Sequence, residues 1–126
     1  MNLSLEMRNR GDVIIVHCEG RIVYGEEAAD LLRVVGGVLQ VASTVIVDLA
    51  GVGSVDGAGI GELALLHTRA QEEGATLSFA GPNALVATLL DLTNLDTVLE
   101  IYPSVNAALQ SPREERQEEE QVCADC

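Results

Sequence analysis

At 126 residues, 48% of them apolar, the chain is long enough for one domain with its own hydrophobic core. A net charge of -13, from twenty acids against seven arginines and no lysine, sets it against nucleic acid and anionic membranes as partners. One Phe, two Tyr and no Trp leave little from which to build a base-stacking platform or a carbohydrate cleft.

Residues 3–8 alternate apolar and polar, the pattern of a half-buried strand. A turn at Asn9–Asp12 leads into Val13–Cys18, a β-branched run that pairs back as a hairpin. Glu19–Ile22 is expected to leave the sheet. Glu26 and Glu27 place acids in the first turn of a helix to about Leu39, with Ala28, Leu31, Leu32, Val35, Val38 and Leu39 at helical spacing. Ser43–Leu49 is apolar on both faces, as in a strand covered by helices. A glycine-rich loop then opens a helix from about Ala58 to Glu73, with Ile60, Leu63, Ala64, His67 and Ala70 on one stripe and Gly74 as its C-cap. Thr76–Ala80 is a strand, Asn83 caps a helix to about Asp91, Val98–Ile101 is a short strand, and Pro103 and Ser104 start a last helix through Leu109.

The order is ββαβαβαβα. It predicts an α/β domain over residues 1–110 with a mixed, mainly parallel sheet of about five strands and helices packed on it. Its core is expected to include Ile15, Val47, Leu63, Leu77 and Leu89. From residue 111 to 126 the chain is acidic, without an apolar face, and is read as a disordered tail. No signal-peptide pattern and no apolar run near ~20 residues is present, and three cysteines do not form a secreted disulfide framework, so the expected location is cytoplasmic.

No catalytic cluster stands out, and the chain reads as a binding protein, not an enzyme. His17 falls in a strand and His67 on the helical stripe, each read as a packing residue. Cys123 and Cys126 form a CxxC, but on a polar tail they lack the helix N-terminus of a redox motif and the further ligands of a zinc site. The loop Val55-Asp56-Gly57-Ala58-Gly59-Ile60-Gly61 is the most informative stretch. Glycines there admit a close backbone, and a helix N-terminus favours negative charge. Without the lysine and hydroxyl of a P-loop it does not read as a nucleotide site. Neither cofactor nor metal is expected.

The span from Val45 to Leu63, with Val47-Asp48-Leu49 before Ser54-Val55-Asp56-Gly57-Ala58-Gly59, resembles the signature of the STAS domain of bacterial anti-sigma factor antagonists. So does Leu89 to Leu109, and the similarity runs from about residue 3 to 110. The resemblance implies a cytoplasmic partner-switching regulator of transcription. Such a protein binds an anti-sigma factor, often a serine kinase, and so frees a sigma factor. It implies partner-binding residues Ser54, Asp56, Gly57, Ala58, Gly59, Ile60 and Glu62, in the 53–62 segment and the helix that follows. In the family the kinase phosphorylates a serine just after the loop aspartate. Here that position is Gly57, and the next is Ala58. The acid that often stands at the entry to the first helix is Val23. Ser54 is the nearest hydroxyl, but it lies two residues before Asp56, and its direction relative to the helix N-terminus is expected to differ. Two other roles share the fold: an adaptor subunit of a sensory scaffold or lipid ABC transporter, and a nucleotide- or small-anion-binding domain. The oligomeric state stays open, a weak homodimer included.

Overall fold

The computed structural model describes residues 3–110. Strands β1 (Leu3–Arg10), β2 (Val13–Ile22), β3 (Thr44–Val55), β4 (Thr76–Ala80) and β5 (Ile101–Tyr102) form one sheet in the order β1-β2-β3-β4-β5. The β1–β2 hairpin is antiparallel and the other pairings are parallel. Helices α1 (Glu26–Val41), α2 (Gly57–Glu73), α3 (Ala84–Leu92) and α4 (Val105–Gln110) cover it, in the element order read from the sequence. The tail from residue 111 lies outside the described residues.

Alternation along the strands divides the core. Val16 and Cys18 of β2 and Val45, Val47 and Leu49 of β3 pack with Leu31, Val35, Leu39, Leu63, Leu66, Val86 and Leu90, burying α1, α2 and α3 on one face. Val13, Ile15, Ile46 and Ala80 point the other way, to Ala108 of α4. The expected core residues Ile15, Val47, Leu63 and Leu77 are buried. Leu89 is not. It is half-buried, because α3 turns Val86 and Leu90 inward. Leu63 is fully enclosed. Leu63→Ala is therefore expected to cost about 2–5 kcal/mol by urea denaturation. An unchanged midpoint would place Leu63 outside the core.

Three expectations about strand ends are corrected. Glu19–Ile22 does not leave the sheet: β2 continues to Ile22, which pairs with Val55. β3 does not stop at Leu49 but runs to Val55, so residues 50–55, expected as loop, are strand. Two register shifts between β2 and β3 let the ladder continue past Asp48. Gly51 is needed there, since a Cβ would come 2.7 Å from the Cys18 carbonyl oxygen. The last strand is Ile101–Tyr102 and not Val98–Ile101. Asn94 in the left-handed region starts a 3-10 turn over Leu95–Thr97 that leaves Val98 exposed.

Candidate partner-binding surface at the second helix N-terminus

β3 delivers the chain to α2 with one intervening residue, Asp56. Its carboxylate joins two segments. Oδ1 accepts from the Gly59 amide at 2.9 Å and caps α2, while Oδ2 accepts from the Tyr24 amide, also at 2.9 Å, at the entry to α1. These bonds hold the Asp56 pKa below the usual carboxylate range, the Tyr24 amide contributing most and the Gly59 amide next. A second brace comes from Asn83. Its Oδ1 caps α3 by accepting from the Val86 amide at 2.8 Å, and its Nδ2 donates to the Val52 carbonyl at 3.2 Å.

A carboxyl with a lowered folded-state pKa adds stability that is complete above its unfolded value and is lost as pH falls through the folded value. Asp56→Asn is expected to be less stable than wild type at pH 7, with the gap closing only below about pH 4, the unfolded carboxyl range. Urea midpoints of both proteins at pH 7 and pH 3 check this. A gap that stayed constant would mean that the charge of Asp56 contributes nothing.

The glycines of this segment have different roles. Gly59 is buried, and an added Cβ would lie on the Ile22 carbonyl oxygen and 2.6 Å from Val55 Cγ1. Close packing of helix on strand requires it. Around Gly57 and Gly61 a Cβ would meet nothing within 4 Å. Both are exposed. Between the starts of α1 and α2 lies a shallow groove of about 520 Å³, lined by Tyr24, Gly25, Ala28, Ala29, Ala58, Gly61 and Glu62. Five of these seven residues are Gly or Ala. Tyr24, 83% exposed, also lines it.

The sequence-predicted residues are therefore spread over several environments. Gly57 is exposed, and Ala58 and Glu62 are half-buried and line the groove. Ile60 packs against the core, Gly59 is enclosed, and the Asp56 carboxylate is engaged on both oxygens. Ser54 sits in β3 opposite Arg21, half-buried, before the helix begins. Tyr24, Gly25, Ala28 and Ala29 were not legible as neighbours of this segment. The Tyr24–Asp56 bond that places them spans thirty-two positions and leaves no local signal.

The other reactive groups lie elsewhere. His17 Nδ1 is 2.6 Å from Asp48 Oδ2 on the α4 face of the sheet, and His67 is half-buried on α2. Cys18 is buried, and burial, with the Asp48 charge second, pushes its thiol up to about 12, far from a reactive thiolate. Among the described residues no three His, Cys, Asp or Glu side chains are placed to hold a metal, and no helix is long and apolar enough to cross a membrane.

A family model described as the STAS domain matches residues 4–108. Solved structures share the fold. An anti-sigma factor antagonist from Mycobacterium paratuberculosis aligns with a TM-score of 0.77 at 21% identity, over 88% of this chain and 94% of that one. The anti-sigma factor antagonist SpoIIAA in its unphosphorylated form aligns at 0.73 and 10% identity, over 88% and 97%. A sulfate transporter family protein from Wolinella succinogenes aligns at 0.66 and 18% identity, over 79% and 84%. No curated protein matches the chain.

Proposed function

The chain belongs to the STAS domain family, and from that premise we propose that it is an anti-anti-sigma factor that cannot be switched off by phosphorylation at the family's usual position. It binds an anti-sigma factor in the cytoplasm and carries out no reaction of its own. The partner docks on the start of α2, across Gly57, Ala58 and Glu62, and extends into the groove beside Tyr24. The observation that carries this reading is the exposed Gly57 at a helix start that Asp56 ties to the entry of α1, next to a strand, β3, that Asn83 ties to α3. A rigid, open backbone there favours a protein surface that packs closely, since little ordering entropy is lost on binding. Gly57 offers no hydroxyl to a kinase. Ser54, held in a β ladder, is a poor substrate for one.

The test is retention by the tagged full-length protein from its native cell, with identification by mass spectrometry. An anti-sigma factor, with or without a kinase domain, held by wild type and lost from Gly57→Asp is the expected result. A transporter or sensory-scaffold subunit held equally by both would replace this reading with the adaptor role.

A further inference from the structure

β1 is an outer strand of the sheet, paired with β2 along Leu3–Arg10 and with no other strand among the described residues. Such an edge presents backbone amides and carbonyls that another strand can pair with. Its sequence is self-complementary in one register. When two copies of a strand pair antiparallel about a twofold axis perpendicular to the sheet, opposed residues share a face. One residue must then sit opposite itself. With Met7 at the centre, Glu6 of each copy faces Arg8 of the other, and Ser4 faces Arg10. With Glu6 or Arg8 at the centre, a like charge faces itself.

Side-chain exposure fits the Met7 register. Glu6 and Arg8 are 65% and 64% exposed and make only a loose 3.4 Å contact within the chain, so both are available across the axis. On the other face Leu3 is buried, Leu5 half-buried and Met7 56% exposed. This apolar row outruns the helices that cover it, and Met7 of a second copy would cover its end. Charge favours the same edge. Elsewhere the chain is strongly acidic, while β1 carries two of the seven arginines and a single acid.

We propose that β1 is a dimerisation edge, where a second copy pairs antiparallel about Met7 and joins two five-stranded sheets into one. The experiment is sedimentation equilibrium of the full chain over a concentration series, for wild type, Glu6→Arg and the double variant Glu6→Arg, Arg8→Glu. Wild type is expected to show a concentration-dependent dimer. Glu6→Arg sets arginine against arginine twice and should weaken it on the order of tenfold or more. The double variant reverses both charges and should recover the dimer. At concentrations low enough for all three to be monomeric, melting curves should coincide, since both side chains are exposed. A wild type monomeric throughout, a Glu6→Arg variant that dimerises as wild type does, or a double variant that stays monomeric would each overturn the proposal.

Discussion

Gly59→Ala is expected to destabilise the domain by about 3 kcal/mol, the upper end of what an added methyl group costs in a filled site. The new Cβ would press on the Ile22 carbonyl oxygen and on Val55 Cγ1. Neither can yield cheaply. Ile22 and Val55 pair as the last rungs of the β2–β3 ladder, and the Ile22 carbonyl accepts from the Asp56 amide at 3.3 Å. Relief would require α2 to lift from the sheet, which would pull the Gly59 amide from Asp56 and open the groove. Against a total stability of about 5–15 kcal/mol the loss is large, and the melting temperature should fall by roughly 10–20 °C. Gly57→Ala is the control. Its Cβ meets nothing, so it should be neutral, or stabilising by about 0.4–1 kcal/mol through the unfolded chain. Equal melting temperatures for the two variants would show that α2 is not packed as described.

Gly57→Asp should leave the fold intact and strongly weaken the partner. The side chain has open space, and a carboxylate in the first turn of a helix is favoured by about 0.3–1 kcal/mol. In a complex that covers this surface, the same charge must lose its water beside Asp56. Burying an unpaired carboxylate costs at least ~3 kcal/mol, which is a hundredfold or more in affinity.

Much of this architecture is legible in the sequence because its signals are local. Thr76–Ala80 begins and ends where its β-branched and aromatic residues and Gly81 predict. Asn83 caps the third helix, and Gly74, in the left-handed region, closes the second, as their residue types predict. What escaped was non-local. Gly51 and Gly53 read as loop because glycine is a poor strand former, yet Gly51 is required where β3 passes close to Cys18. The groove escaped for the same kind of reason. The 53–62 segment is conspicuous by itself, but its neighbour at Tyr24 is brought in by one hydrogen bond to Asp56. The half-burial of Leu89 was likewise beyond a count of apolar positions, since Leu85, Leu89 and Leu92 have the spacing of a buried stripe, yet Leu85 and Leu92 are exposed and Leu89 is only half-buried.

The most direct test of partner binding at the start of α2 is the affinity of the purified anti-sigma factor for wild type and for Gly57→Asp, with a melting curve of each to show that both are folded. Overlapping melts with affinity reduced a hundredfold or more, and no phosphate on wild-type protein recovered from the cell, are the predicted results. Equal affinities would place the interface elsewhere, and phosphate on Ser54 would contradict a surface that phosphorylation cannot switch off.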